Sequence, residues 1–259
     1  MTISPFERLI KLIGPSSFER LQSAHVLIVG LGGVGGFAAE ALARSGIGHL
    51  KLVDFDQVGL SNINRQLPAL HSTIGLAKTE VMAARIRDIN PAAEVEALAV
   101  RCDSESIDRL LSPPLDGVID AIDLVTYKCE LLATCRERKI PIVASLGAAG
   151  RLDPTRVKLA DLNRTEGDHL AAHVRKVLRQ KFGFPLGKTR FGIPAIYSDE
   201  PALPPFGKTQ NDSAPPSDSG DRARTGGSAS FVTGTFGLTA AAALFQILLG
   251  IDPIPIKNN

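Results

Sequence analysis

Residues 54–66, DFDQVGLSNINRQ, contain the densest group of side chains that could bind a nucleotide. They follow an apolar run, HLKLV, whose composition is typical of a buried strand. The carboxylate of Asp54, at the end of such a strand, suits hydrogen bonds to the two hydroxyls of a ribose. Asn62 and Arg65 then offer a neutral and a cationic donor, and Lys78 follows on the next segment. This set predicts a site for a phosphate-bearing nucleotide.

The two cations favour a triphosphate over a dinucleotide. A dinucleotide carries one charge on each bridging phosphate, and a glycine turn is enough to hold them. ATP carries about four negative charges, and its cleavage concentrates more of them on pyrophosphate, where Arg65 and Lys78 would stabilise them. Asp123, at the end of the apolar run GVIDAID, is in a position to hold the Mg²⁺ of such a reaction. Each of these three residues, taken alone, also fits a solvated surface charge or a helix cap.

The motif GLGGVG, residues 30–35, lies between an apolar run and a helical pattern, as a phosphate-binding turn does. Gly30 permits a tight turn, and Gly35 lets helix and strand pack closely. Gly32 and Gly33 let phosphate approach the backbone. The N-terminus of the following helix adds amide hydrogens and a positive dipole end. The motif by itself does not distinguish NAD, FAD and ATP.

The elements that must position these residues alternate between strands and helices. Apolar runs predict strands at residues 25–30, 49–56, 93–100, 117–123 and 140–147. Amphipathic spacing predicts helices at residues 36–46, 76–90 and 127–139. This alternation predicts an α/β fold with a doubly wound, mostly parallel, Rossmann-like sheet. In such a sheet the carboxyl ends of the strands open into one crevice, which would collect the residues above.

The order of the motifs resembles the ThiF/MoeB adenylating family, which includes the ubiquitin-activating enzymes and bacterial enzymes that activate sulfur-carrier proteins. The resemblance is carried by GLGGVG, DFD, SNINRQ, the following lysine and DAID. It implies phosphate contacts by Gly33, Asn62, Arg65 and Lys78, ribose contacts by Asp54 and a magnesium contact by Asp123. Of these residues, Arg65, Lys78 and Asp123 would act in catalysis.

Longer stretches resemble one branch of this family, the tRNA threonylcarbamoyladenosine dehydratases. They include NRQLPALHSTIGLAKTEVMAARIRDINP and GAAGRLDPTRVKLADL, and the resemblance is weakest over about 198–229. It implies a ligase-type tRNA-modifying enzyme that uses ATP and Mg²⁺. ATP would adenylate the free carboxylate of the threonylcarbamoyl group with release of pyrophosphate. A nitrogen or oxygen of the same group would then close a ring as AMP leaves, so no enzyme cysteine is required.

Two other functions are compatible with parts of the sequence. An adenylyltransferase that activates the C-terminal glycine of a small ubiquitin-like sulfur carrier would share the nucleotide site, with FGKTQND as a docking loop. Such enzymes usually carry two CxxC zinc pairs, and many use a cysteine after the sheet. This chain has three cysteines, no CxxC pair and no cysteine after Cys135. An NAD-dependent oxidoreductase would use the glycine motif but has no need of Arg65 and Lys78.

The character of the chain changes after residue 150. We expect residues 1–150 to form the ATP-binding domain and residues 151–259 to form an extension packed on it. Residues 151–190 hold ten Lys/Arg against four Asp/Glu. Three of these cations on a predicted helix, Arg175, Lys176 and Arg179, are candidates for contacts with tRNA phosphates, and a solvated helix is the alternative.

Three further segments of the extension carry weaker signals. His169 and His173 are four residues apart, but no third ligand is near, which indicates surface histidines. The region 198–229 is rich in Pro, Gly, Ser and Asp, and we expect a flexible loop. Residues 231–250 are uncharged and long enough to span a bilayer. They lack cationic or aromatic anchors at their ends, so we expect a strand and a buried helix at a subunit interface, without membrane association.

Localisation and partners follow from the remaining features. The N-terminal segment has no long apolar core, and the few cysteines suit a reducing compartment, so we expect a cytoplasmic protein. The family resemblance implies a homodimer in which an arginine of the partner's N-terminal helix, here Arg8, reaches the site. It also implies a cysteine-desulfurase sulfur acceptor as a partner. The cysteine that some relatives carry before TGTFG is absent here, where the chain reads RTGGSAS.

Overall fold

The computed structural model describes residues 4–204, 206 and 226–254. One seven-stranded sheet forms its centre, with the strand order β3-β2-β1-β4-β5-β7-β6. The strands run over His25–Val29 (β1), His49–Val53 (β2), Glu94–Leu98 (β3), Gly117–Asp120 (β4), Ile142–Ser145 (β5), Val157–Asp161 (β6) and Pro194–Ser198 (β7). Neighbours pair in parallel except β6 and β7, which are antiparallel. The prediction of a mostly parallel, Rossmann-like α/β sheet is confirmed.

Helices cover both faces of this sheet. They run over Glu7–Ile13 (α1), Pro15–Ser23 (α2), Gly35–Arg44 (α3), Lys78–Ile89 (α4), Ile107–Leu110 (α5), Val125–Glu137 (α6), His169–Phe182 (α7) and Ser230–Leu248 (α8). Side chains of β1 alternate between the two faces, as they must in a strand. Val26 and Ile28 join a core formed with α3, α4 and α8, whereas Leu27 and Val29 join a core formed with α6 and α7. Both layers are therefore anchored on the strand that ends at the glycine motif.

The last helix corrects one expectation. A strand followed by a helix within residues 231–250 is wrong, because residues 230–248 form the single helix α8. Glycines let α8 lie very close to α3. A Cβ at Gly237 would lie 2.3 Å from the carbonyl oxygen of Val34, and one at Gly234 would lie 3.2 Å from the ring of Phe37. Among the described residues, α8 is the one helix long and apolar enough to cross a membrane, and half of its most apolar window is buried within the protein.

The chain after residue 150 continues the same sheet. It contributes the antiparallel pair β6 and β7, and β7 pairs with β5. Of the loop expected over about 198–229, residues 198–204, 206 and 226–229 are described, and Ser198 belongs to β7. The rest of that loop, including Lys208, Arg222, Arg224 and most of the FGKTQND stretch, lies outside the described residues.

Candidate nucleotide-binding site

The glycine motif lies at the point where the strand order reverses, between β1 and β4. Gly30 has φ +90°, and a Cβ there would lie 2.6 Å from the carbonyl oxygen of Ala121. A Cβ at Gly35 would lie 1.7 Å from the carbonyl oxygen of Gly30. Neither position tolerates another residue without movement of the backbone. The turn is thus held tightly against the loop that follows β4, where ligands of open α/β sheets bind.

The two middle glycines face side chains from other segments. A Cβ at Gly33 would lie 3.1 Å from the side chain of Thr233, in the first turn of α8. A Cβ at Gly32 would lie 3.6 Å from Nε2 of Gln66. The backbone between Gly32 and α3 is therefore lined by side chains of the turn after β2 and of α8, and it leads into the N-terminus of a ten-residue helix. This arrangement fits the phosphates of a nucleotide.

Asp54 connects the end of β2 to the glycine turn. Its Oδ2 accepts a 2.7 Å hydrogen bond from the backbone N–H of Leu31, and its Oδ1 accepts one of 2.8 Å from Asp56. Burial raises the pKa of Asp54 above its ordinary value, and the nearby charge of Lys78 opposes that rise. Each carboxylate oxygen keeps a lone pair for a further donor. Contacts of Asp54 with ribose stay a prediction, and the remaining lone pairs would accept them.

Lys78 begins α4 and is buried beside two carboxylates. Its Nζ lies 2.8 Å from Oδ2 of Asp56 and 3.9 Å from Oδ2 of Asp54. The structure makes Asp56 the direct partner of Lys78, a pairing 22 residues apart in the chain. The second carboxylate of DFD is the only local signal for this pair. The predicted phosphate-binding lysine is thus held at the end of β2.

Arg65 and Asn62 belong to a tight turn after β2. Oδ1 of Asn62 accepts a hydrogen bond from the backbone N–H of Gly59. Nη1 of Arg65 donates to the carbonyl oxygen of Ser61 and to Oδ1 of Asn64, both at 2.9 Å. These bonds use one of the three guanidinium nitrogens, and the side chain is only partly buried. Arg65 is therefore held in place with donors left for a phosphate.

The turn also contacts the segment before α8. Nδ2 of Asn64 donates a 2.9 Å hydrogen bond to the carbonyl oxygen of Ser228. Oε1 of Gln66 is buried and has no hydrogen-bond partner within the described residues. Together with Thr233, these contacts show that residues 226–233 form one wall of the crevice. Nothing local in the sequence predicts this wall, because it comes from a segment far along the chain.

Asp123 lies beyond the end of β4, which stops at Asp120. The prediction that Asp123 ends the strand is thus off by three residues. Asp123 is exposed, in the loop that contacts the glycine turn, whereas Asp120 is fully buried. Nζ of Lys128 lies 2.6 Å from Oδ2 of Asp120 and donates to the carbonyl oxygen of Ser145. Burial raises the pKa of Asp120, against the charge of Lys128.

Of the two carboxylates Asp120 and Asp123, only Asp123 is therefore accessible to a bound cation. The described residues contain no group of three or more metal-ligating side chains. Mg²⁺ in nucleotide sites is commonly held by one or two carboxylates together with substrate phosphates and water. A single exposed carboxylate beside a phosphate-binding turn fits that mode. The magnesium contact of Asp123 stays a prediction.

The cations predicted for tRNA lie on α7 with different surroundings. Nη1 of Arg175 donates to the carbonyl oxygen and Oγ1 of Thr165, and Nη2 of Arg179 donates to Oδ1 of Asn163. Both arginines thus hold the turn before α7, and burial lowers the pKa of Arg175. Lys176 is exposed, as are His169 and His173. Contact of this helix with tRNA stays a prediction. Lys176 is the one of the three cations whose side chain makes no hydrogen bond or ion pair within the described residues.

The three cysteines lie inside the protein. Cys102, Cys129 and Cys135 are buried and not disulfide-bonded. Burial raises the pKa of each thiol to about 12. A thiol of this kind is protonated and shielded at neutral pH, and it is a poor nucleophile. The chemistry of the site must therefore come from other groups.

Comparison with known proteins agrees with this geometry. The sequence model of the ThiF family matches residues 6–259. The chain is 41% identical over 240 residues to the tRNA threonylcarbamoyladenosine dehydratase of Haemophilus influenzae, covering 92% of this chain and 91% of that protein. The crystal structure of the Escherichia coli tRNA N6-threonylcarbamoyladenosine dehydratase in complex with ATP is similar, with a TM-score of 0.85 and 38% identity over 95% of this chain and 94% of that one. The Escherichia coli molybdopterin-synthase adenylyltransferase is 38% identical over 135 residues, covering 52% of this chain and 53% of that protein.

Proposed function

The chain belongs to the ThiF family, in its branch of tRNA threonylcarbamoyladenosine dehydratases, and we propose that it dehydrates threonylcarbamoyladenosine in tRNA at the expense of ATP. One observation carries the proposal. The likeness to the dehydratases extends over almost the whole chain, whereas the likeness to an adenylyltransferase named for molybdopterin synthase covers about half of it. The activator of a sulfur carrier is therefore the weaker alternative.

The first step forms an acyl adenylate. A carboxylate oxygen of the threonylcarbamoyl group bonds to the α-phosphorus of ATP, and the bond from that phosphorus to the leaving pyrophosphate breaks. The glycine turn and the N-terminus of α3 bind the phosphates, and Asp54 binds the ribose. Arg65 and Lys78 stabilise the charge that develops on pyrophosphate. To do so, Lys78 exchanges its contact with Asp56 for one with phosphate.

A magnesium ion fits this scheme through Asp123. When bound, it would neutralise phosphate charge. The observation that supports it is the contrast between Asp123, which is exposed, and Asp120, which is committed to Lys128. The hydrogen-bond donors of this chain would stabilise the phosphate charge that the ion does not neutralise.

The second step closes a ring within the substrate. A nitrogen or oxygen of the modified side group attacks the activated carbonyl carbon, and AMP leaves with the former carboxylate oxygen. The nucleophile belongs to the substrate, which agrees with the burial of all three cysteines. A persulfide or thioester on this chain would need one of those thiols to reach the surface. If a cysteine-desulfurase sulfur acceptor binds, it therefore binds without using a thiol of the described fold.

We propose a cytoplasmic homodimer as the working form. The support is an apolar strip on α8, where Phe231 and Leu238 are exposed, seven residues and about two helical turns apart. Arg8 lies exposed on α1 and is available to a partner subunit. Sedimentation at several protein concentrations tests the dimer, and Leu238→Glu should dissociate it.

The proposed function is tested on tRNA from cells. A strain that lacks this protein should accumulate the open threonylcarbamoyl nucleoside, and the cyclised form should be absent from its tRNA. Mass spectrometry of digested tRNA measures both forms. Unchanged tRNA nucleosides together with loss of a sulfur-dependent cofactor would instead support the carrier-activating alternative.

A further inference from the structure

Arg151 is a buried cation, two of whose guanidinium nitrogens lack a hydrogen-bond partner among the described residues. It is 3% exposed, and its Nε and Nη1 atoms have no hydrogen-bond acceptor within the described residues. The two buried lysines of the described residues, in contrast, are both paired with carboxylates, since Lys78 contacts Asp56 and Lys128 contacts Asp120. A buried charge without a partner costs folding free energy. A bound anion would supply the partner that these guanidinium nitrogens lack.

Arg151 lies on a segment that is firmly attached to the rest of the fold. The backbone N–H of Gly147 donates to Asp168, and that of Leu152 donates to Glu200, at 3.0 and 3.1 Å. The backbone N–H of Gly150 donates a 2.7 Å bond to the carbonyl oxygen of Gly227. These bonds immobilise the backbone on both sides of Arg151. Residues 147–152, which carry the Arg151 side chain, are thus held in place by backbone hydrogen bonds.

The segment 147–152 also borders the nucleotide crevice. Residues 226–229 contact Gly150 through Gly227, and they contact the Arg65 turn through Ser228, which accepts from Asn64. Residues 226–229 therefore connect the backbone next to Arg151 to the turn that holds Arg65. The backbone next to Arg151 thus borders the crevice, on the side opposite β2 in strand order.

Strand order separates Arg151 from the phosphate-binding cations. The order β2-β1-β4-β5 puts Arg65 and Lys78 after β2, the glycine turn after β1, Asp123 after β4 and Arg151 after β5. Neighbouring strands are about 4.8 Å apart, so the ends of β1 and β5 are roughly 10 Å apart. In strand order, an anion at Arg151 would lie on the other side of the glycine turn from Lys78. In an adenylation reaction, the second anion is the carboxylate to be activated.

We propose that Arg151 binds the substrate carboxylate and orients it toward the α-phosphorus of ATP. This assignment rests on the proposed function for the identity of the substrate, but not for the presence of a carboxylate. A guanidinium group suits the role because its planar fork matches two carboxylate oxygens and stays charged at all working pH values. Arg151 transfers no proton. It selects an anionic substrate, and each bound carboxylate oxygen keeps a lone pair with which it can attack.

The test compares Arg151→Met and Arg151→Gln with wild type and with Arg156→Met as the matched control. Arg156 lies close in sequence, but its guanidinium contacts Asp199 at 2.8 Å. The probes are the nucleoside N6-threonylcarbamoyladenosine, its neutral carboxamide, and ATP. The bound fraction of each probe is measured by calorimetry or thermal shift, and the melting temperature is measured without ligand.

We expect both Arg151 variants to bind the carboxylate nucleoside about tenfold or more weakly, as loss of a charged hydrogen-bond partner predicts. The carboxamide and ATP should bind as in wild type, and Arg151→Met should not lower the melting temperature. Equal preference for the carboxylate in wild type and variants would overturn the assignment. Weaker ATP binding would assign Arg151 to the nucleotide phosphates instead. A lower melting temperature with unchanged binding would make Arg151 a structural residue.

A fourth probe separates this proposal from the proposed function. If wild type fails to bind the nucleoside, a peptide ending in Gly-Gly is used as the carboxylate and its C-terminal amide as the neutral form. Loss of the preference for the free peptide in the Arg151 variants would retain Arg151 as the carboxylate residue while the tRNA function fails. No preference in wild type for either carboxylate would overturn both.

Discussion

The Nζ of Lys78 lies 2.8 Å from Oδ2 of Asp56, at the end of β2 beside the glycine turn. The lysine is buried, whereas the side chain of Asp56 is 42% exposed. A half-exposed ion pair costs little to open, since water screens its attraction. Asp56 thus neutralises the lysine of the free protein without preventing its transfer to phosphate. This pair supplies the first prediction.

Lys78→Met should lower the rate of pyrophosphate release by about 10²–10³, as loss of one preorganised donor does. Asp56→Asn should keep that rate and bind ATP more tightly, because the competing carboxylate is gone. Stopped-flow detection of pyrophosphate and calorimetry with ATP measure the two effects. Lys78→Arg is the control that keeps the charge. Full activity of Lys78→Met would remove Lys78 from the catalytic set.

Asp123→Asn should fold normally and lose most turnover, with recovery when magnesium is raised. The exposed side chain has no structural partner in the described residues, so the melting temperature should hold. Asp120→Asn is the contrasting variant. It leaves Lys128 buried without its counter-charge, which should cost about 3–5 kcal/mol of stability. A wild-type rate for Asp123→Asn at limiting magnesium would contradict the metal assignment.

A variant with all three cysteines changed to Ala or Ser should still cyclise the substrate if it folds. The wild-type thiols should resist Ellman's reagent at pH 8 in the native protein and react after denaturation. The reason is their pKa of about 12, because a raised thiol pKa means that the neutral form persists well above pH 8. Loss of cyclisation in a folded triple variant would point to a covalent thioester step.

Changing Arg175, Lys176 and Arg179 together to Ala should weaken tRNA binding without changing ATP affinity. Each lost phosphate contact lowers the salt slope of log K by roughly 0.7–0.9 units. The three residues should contribute differently to tRNA binding and to stability. Lys176→Ala should change the slope alone, whereas Arg175→Ala and Arg179→Ala should also lower the melting temperature, since their guanidinium groups hold the turn before α7. An unchanged slope in the triple variant would exclude α7 from the tRNA surface.

Much of the fold could be predicted because its signals are local. Strand and helix periodicity, the glycine motif and the carboxylate after β2 each occupy a few consecutive residues, and a parallel sheet brings their ends together. The tight fits of Gly30 and Gly35 agree with that reasoning. The placement of Asp54 beside the glycine turn agrees as well.

The remaining features depend on contacts between distant segments. Three features arise only when distant segments come together. They are the wall made by Thr233 and Ser228, the pairing of Lys128 with Asp120, and the burial of Arg151 with two nitrogens unpaired among the described residues. The roles of Arg175 and Arg179 could not be predicted for the same reason, because the sequence of a basic helix suits contacts with tRNA and internal hydrogen bonds equally well. The single helix α8 also depends on tertiary packing, as its glycines fit against α3.

The proposed dehydration can be measured with the purified protein. Protein in excess is mixed with tRNA carrying threonylcarbamoyladenosine, together with ATP and magnesium. AMP is followed by chromatography, and the nucleoside is followed by mass spectrometry. The account predicts one AMP for each nucleoside that loses one water, with no AMP formed on tRNA that lacks the threonylcarbamoyl group. Formation of AMP without any dehydrated nucleoside, or only in the presence of a carrier protein ending in glycine, would contradict it.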